Sequence, residues 1–185
     1  MNKPDPSPPD YSDEFIAGIL ESVRCIALVG ASANPERPSH RVMKFLLDKG
    51  YRVIAVNPGL AGHTLLGAPV VASLGEIGEA VDMIDIFRAA EAAPGLVRDA
   101  LEMNPRPRVI WMQLGVVNEE AARLARDGGL EVVMDRCPKI EYARLSSETG
   151  WAGVASHHIS ANRAARGDSG VQQLILERDI PDPAG

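Results

Sequence analysis

Short, almost unbroken apolar stretches alternate along this chain with longer segments whose apolar residues recur every three or four positions. Over residues 12–23, Phe15, Ile16, Ile19, Leu20 and Val23 fall on one helical face, and Ser12 is placed to cap the first turn. Residues 24–29 form an apolar run stopped by Gly30, the pattern of a buried strand. Helical spacing returns over residues 39–49 through Val42, Phe45, Leu46 and Lys49, with Gly50 just beyond. Residues 51–56 read as a second strand, ended by Asn57-Pro58-Gly59. The glycine-rich stretch 60–77 offers a short strand near Leu65-Leu66 or near Val70-Val71. Beyond it the pattern predicts strands at 81–87, 109–113 and 130–134, and helices at 90–103 and 118–126. Asn118 is placed to cap the second of these helices, with Glu119 and Glu120 where the helix dipole favours them.

Strands that are apolar throughout are covered on both faces. Their alternation with helices predicts an α/β fold: a doubly wound, mostly parallel sheet of about five or six strands flanked by helices. In such sheets ligands bind beyond the carboxyl ends of the strands, where strand order reverses. The informative residues therefore follow the strands, at 30–40, Asn57-Pro58, Phe87-Arg88, 113–116 and 135–139. Proline crowding at Pro4, Pro6, Pro8 and Pro9 marks residues 1–11 as a flexible segment. Residues 146–185 read as an extension with weak patterning. Residues 171–178 there suit a short strand or helix, and Trp151 and Val154 suit docking on the domain or a partner subunit.

Composition narrows the function classes. Of 185 residues, 45% are apolar and 24% charged, enough for a packed core and against wholesale disorder. The 19 basic and 25 acidic residues leave a net charge of −6, which argues against diffuse binding to nucleic acid or an anionic membrane. It does not exclude an anionic ligand, which responds to the local field of its pocket. No apolar run approaches the roughly 20 residues of a membrane helix, and the proline-rich start lacks the apolar centre of a signal peptide. Two cysteines are too few for a disulfide framework, so the expected compartment is a reducing cytoplasm.

The candidate chemistry lies in the strand exits. The turn from Gly30 to His40 has small residues at Gly30, Ala31 and Ser32, and the helix after it offers N–H groups and a positive dipole end to a phosphate. It is not the dinucleotide fingerprint: of three required glycines only Gly30 is present, and the second strand ends in Asn57-Pro58 instead of an acidic residue. Ordinary NAD binding loses support at both positions, and a plain strand–helix turn without ligand stays open. Arg37, His40 and Arg41 gather cations at the helix start, with Lys44 one turn further on a solvated face. Arg88 follows a buried strand beside Phe87, which either stacks on a base or fills the core. The four histidines, His40, His63, His157 and His158, have no metal-ligand spacing with cysteines or carboxylates. No nucleophile elbow or P-loop is present. Cys25 falls inside the first strand and reads as core. Cys137 precedes Pro138 on the binding edge, either as a packing residue or as a redox-active thiol; no base or pKa-lowering group is visible beside it in sequence.

Six of these segments recur together in order: Val29-Gly30-Ala31-Ser32 followed by Pro35; Gly50-Tyr51 leading to Val56-Asn57-Pro58; Val81-Asp82-Met83-Ile84-Asp85-Ile86-Phe87-Arg88; Val109-Ile110-Trp111-Met112-Gln113-Leu114-Gly115; Asn118-Glu119-Glu120-Ala121; and Val133-Met134-Asp135-Arg136-Cys137-Pro138. Over residues 12–145 the chain resembles the small stand-alone coenzyme A-binding proteins. Their Rossmann-like domain is similar to the CoA-binding domain of the succinyl-CoA synthetase α subunit. The resemblance implies that Gly30, Ala31 and Ser32 lie against the CoA pyrophosphate or ribose, with Pro35 in the same turn. It implies that Arg37, Ser39, His40 and Arg41 meet phosphates, and that Asn57, Pro58, Phe87 and Arg88 flank the adenine end. Gln113 and Gly115 would line the next strand's exit, with Cys137 on the same edge. The synthetases' phosphohistidine belongs to a second domain, for which the sequence leaves no room and no motif. The resemblance therefore implies binding of CoA or an acyl-CoA by a sensor, carrier or regulatory module, with no catalytic residue and no metal. Two alternatives use Cys137: an acyl-CoA-handling enzyme or ligase subunit completed by a partner chain, and a redox protein in which Cys137 pairs with the CoA thiol. A homodimer is the expected assembly if there is one.

Overall fold

Ser12 caps the first helix as its position predicts: its Oγ accepts the N–H of Phe15 at 3.2 Å, and α1 runs Asp13–Ser22. The computed structural model describes residues 10–146. The expectations for residues 1–9 and 147–185, Trp151, Val154, the histidine pair and the 171–178 element among them, fall outside the described residues. After α1 come β1 (Cys25–Val29), α2 (Pro38–Asp48), β2 (Arg52–Val56), β3 (Thr64–Leu65), β4 (Ala68–Val71), β5 (Met83–Ile86), α3 (Ala93–Glu102), β6 (Val109–Met112), α4 (Glu119–Asp127), β7 (Glu131–Val133) and α5 (Pro138–Leu145). None of these helices is long and apolar enough to cross a membrane.

The strands form one sheet in the order β3-β4-β2-β1-β5-β6-β7, parallel except for the β3–β4 hairpin. This is the doubly wound α/β sheet the alternation predicts. It has seven strands because both candidates in the 60–77 stretch form and pair with each other. Their two-residue connection, Leu66-Gly67, has positive φ at both positions, 52° and 78°, the geometry of a tight hairpin turn. A leucine at the first of them hides the turn from sequence reading. Helix α5 is also absent from the expectations. Pro38 and Pro138 each open a helix, where their fixed φ suits the first turn and a missing N–H costs nothing.

Every residue of β1, β5 and β6 is buried. Leu28, Met83, Trp111 and Val133 face one core, covered by Ile16 and Leu20 of α1, Met43 and Leu46 of α2, and Tyr142 of α5. Ala27, Ile54, Ile84 and Ile110 face the other, covered by Val97 of α3 and Ala121, Ala122 and Ala125 of α4. Small residues on α4 let it approach the sheet closely. Asn118 ties that layer together: its Oδ1 accepts the Ala121 N–H at 2.8 Å and its Nδ2 donates to the Ala90 carbonyl at 3.0 Å. Asn118→Ala removes the cap and the tether. The expected loss is about 1–2 kcal/mol, read as a lower urea midpoint with an unchanged slope.

Strand order runs outward from β1 in both directions, to β2 and β4 on one side and β5, β6 and β7 on the other. The crevice between the carboxyl ends of β1 and β5 is therefore the topological switch point.

Candidate functional site

The chain leaves β1 through Gly30, whose N–H donates to the Val56 carbonyl of β2 at 3.0 Å. Its φ is +90°, and a Cβ built there would lie 2.5 Å from the Phe87 carbonyl oxygen and 3.2 Å from Arg88 Cδ. Only glycine lets the first exit pass this close to the β5 exit. Asn57, at the end of β2, donates from Nδ2 to the Ala31 carbonyl at 2.7 Å, and its Oδ1 accepts the Gly59 N–H at 2.8 Å. Three strand exits are thus tied into one rim.

The loop to α2 is braced internally. Ser32 Oγ accepts the Asn34 N–H at 3.2 Å, Asn34 Oδ1 accepts the Glu36 N–H at 2.9 Å, and His40 Nδ1 donates to the Ser32 carbonyl at 2.9 Å. Gly30, Ala31, Ser32, Arg37, Ser39, Asn57, Phe87 and Arg88, all expected at the site, line one open cleft of about 540 Å³ at the switch point. Pro38 and Ala89 complete the lining; neither was singled out, although both adjoin residues that were.

The cleft's electrostatics follow from its lining. It contains two arginines and no carboxylate. Arg37, Pro38 and Ser39 begin α2, so the positive end of that helix opens into the cleft. Acidic residues occupy the first turns of α1 and α4, but none occupies that of α2, so its dipole is not offset from within. An anion at this position meets two cationic side chains and a helix N-terminus together. A smaller recess of about 370 Å³ lies beside β7, between Tyr11, Phe15, Arg126 and Leu130; it takes in the Ser12 cap of α1 and the carboxylates Asp10 and Glu131, and does not include the exits of β1 and β5.

The remaining expected residues lie outside the cleft lining. Pro35 is exposed on the loop, Arg41 is exposed on α2, and His40 is spent on bracing Ser32. Pro58 is exposed in the turn after β2. Gly115 lies in an exposed turn where its N–H donates to Asp135 Oδ1 at 2.8 Å. Gln113 turns inward and is 5% exposed; its Nε2 donates to Asp85 Oδ1 at 2.8 Å. Cys137 is buried at the start of α5. Burial pushes its thiol pKa up, against smaller opposing effects from the Ile140 and Lys139 N–H groups. That setting lowers the standing of Cys137 as a free-standing nucleophile.

Asp85 is the residue the sequence reading passed over. It is fully buried in β5, and its Oδ2 has no partner. Burial pushes its carboxyl up to about 7, against the opposing hydrogen bond from Gln113. The available signal was a carboxylate inside the otherwise apolar strand Met83-Ile84-Asp85-Ile86. No group of three or more histidine, cysteine or carboxylate side chains suited to a metal ion occurs among the described residues.

Residues 24–143 match the family described as CoA binding domain. The uncharacterized protein YneT of Bacillus subtilis is 41% identical over 128 residues, covering 69% of this chain and 92% of its own. A hypothetical protein from Pyrococcus horikoshii superposes with a TM-score of 0.70 at 35% identity, over 77% of this chain and 99% of its own. A Thermus thermophilus structure does so with a TM-score of 0.68 at 36% identity, over 72% and 98%.

Proposed function

The chain belongs to the CoA-binding domain family, and from that premise we propose that it binds coenzyme A or an acyl-CoA in the cleft between the β1 and β5 exits. The observation that carries this reading is the cleft's charge. Arg37, Arg88 and the α2 N-terminus meet at the switch point with no carboxylate among the lining residues. CoA is a polyphosphorylated ligand, and these groups suit its phosphates. Gly30 keeps the rim open where any side chain would collide with Phe87, and so leaves room for a backbone–ligand approach. Phe87, half-buried beside Arg88, offers an apolar surface to the nucleoside. The lining of arginines, backbone and small residues supports a binding role, as a sensor, carrier or regulatory module.

Calorimetry with CoA, dephospho-CoA, NAD and NADP tests the reading. CoA is expected to bind most tightly, and silence with CoA at millimolar concentration would overturn it. Arg37→Ala and Arg88→Ala should each weaken CoA binding about tenfold, the effect of losing one charge-assisted contact of about 1.5 kcal/mol. Added salt should weaken the wild type more than either variant. Unchanged affinity in both variants would move the ligand away from this cleft.

A further inference from the structure

The polar side chains that line the cleft divide into two kinds. Ser32 and Asn57 are engaged with the protein's own backbone: Ser32 Oγ accepts the Asn34 N–H, and Asn57 donates to Ala31 and accepts from Gly59. The side chains of Arg37, Ser39 and Arg88 have no hydrogen bond or ion pair among the described residues. Exposed arginines satisfy themselves with water, but Ser39 is only 5% exposed. A buried hydroxyl without a partner costs stability. Asp85 Oδ2 is also unpartnered, but it is sealed in the core, whereas Ser39 belongs to the cleft wall.

The backbone of the same residue adds a second donor. The eleven-residue helix α2 opens with Pro38, which has no N–H. The N–H groups of His40 and Arg41 both donate to the Arg37 carbonyl, at 3.1 Å and 3.3 Å. The Ser39 N–H has no acceptor among the described residues. Ser39 therefore brings an unspent N–H and an unspent O–H to the positive end of α2, with no acidic residue in that first turn. The two cations reach the cleft from different elements, Arg37 from the β1–α2 loop and Arg88 from the β5 exit, where its Cδ packs against Gly30.

We propose that Ser39 and the α2 N-terminus, with Arg37 and Arg88, form a diphosphate seat, and that this seat takes a free nucleoside 5′-diphosphate in competition with CoA. Two phosphoryl groups match two guanidinium groups and the donor pair of Ser39. Half-buried Phe87 offers its apolar surface to the base. These unspent side chains are all satisfied by the diphosphate, so occupancy does not require the pantetheine arm that distinguishes CoA. The proposal rests on the CoA reading for the shared cleft and adds a regulator to it: a nucleotide that displaces CoA.

Calorimetry on the full chain tests this, with ADP, AMP, adenosine 3′,5′-bisphosphate and CoA as probes. ADP is expected to bind and to raise the apparent Kd of CoA in proportion to its concentration. AMP and the 3′,5′-bisphosphate, which lack adjoining phosphoryl groups, should bind at least about tenfold more weakly than ADP. Ser39→Ala should weaken ADP and CoA by the same factor, about tenfold. The same substitution removes an unsatisfied hydroxyl and adds a better helix former, so the urea midpoint of the free protein should hold or rise. A serine kept for structure would show the opposite: a lowered midpoint with unchanged affinity, which would overturn its place in the seat. AMP binding as tightly as ADP would overturn the diphosphate. CoA binding without competition from ADP would overturn the proposal and leave the CoA reading standing. ADP binding with no response to CoA would overturn the CoA reading and leave the seat.

Discussion

Asp85→Asn is expected to flatten the decline in stability that the wild-type protein undergoes between about pH 4 and about pH 7. The direction follows from burial. Asp85 is 0% exposed, and its carboxyl is raised from the ordinary 3.8 to about 7 because the interior penalises the charged form. In the unfolded chain the same group ionises at its ordinary value. Between those two points the folded protein keeps a proton that the unfolded chain has released. The folded state binds more protons, so stability falls as pH rises through this window and levels off above it. The displacement corresponds to on the order of 4 kcal/mol. Asparagine has nearly the same shape, keeps an Oδ1 to accept from Gln113, and cannot ionise. The variant should match the wild type near pH 4 and exceed it by a few kcal/mol near pH 8. Urea midpoints for both proteins at these pH values measure this. Parallel pH profiles would show that the carboxyl ionises at its ordinary value in the folded state.

Most of the sheet is legible in the sequence because its strands are covered on both faces. Cys25–Val29 and Val109–Met112 are buried at every residue, and such strands are continuous apolar runs. Helix α5 was not legible because its apolar pattern is broken: Tyr142 and Leu145 are buried while Ile140 is 52% exposed. The cleft was legible because strand exits follow from strand positions alone. Side-chain direction at those exits was not. Gln113 faces inward because it continues the Trp111 side of β6, and that side meets Asp85 only when β5 and β6 are neighbours. Strand order is a long-range property that no local pattern encodes. Arg41 precedes buried Val42 on α2 and is exposed, outside the cleft lining, and helix phase of this kind depends on which face of α2 the sheet covers.

Gly30→Ala should be among the most damaging single-methyl additions in the described fold, lowering stability by about 3–5 kcal/mol. Two effects combine. At φ +90° a side chain crowds its own backbone, which costs about 1–2 kcal/mol. The new Cβ would also stand 2.5 Å from the Phe87 carbonyl oxygen and 3.0 Å from its carbon, both backbone atoms that cannot swing aside. Phe87 is pinned in turn, since its N–H donates to the Val29 carbonyl at 2.8 Å, and Gly30 is pinned to Val56 on its other side. Relief therefore breaks a strand-exit hydrogen bond or displaces the β5 exit, carrying Phe87 and Arg88 with it. Gly50→Ala supplies the control. Gly50 has a similar φ of +83°, but a Cβ there meets nothing within 4 Å, so it should lose only the backbone cost of about 1–2 kcal/mol. The difference between the two urea midpoints isolates the contact at the rim. CoA titrations on the folded variants separate rim geometry from stability: Gly30→Ala should bind more weakly and Gly50→Ala as the wild type does. Equal losses of stability and affinity at both positions would mean that the β1 and β5 exits are free to separate, and that Gly30 is set by its backbone angle alone.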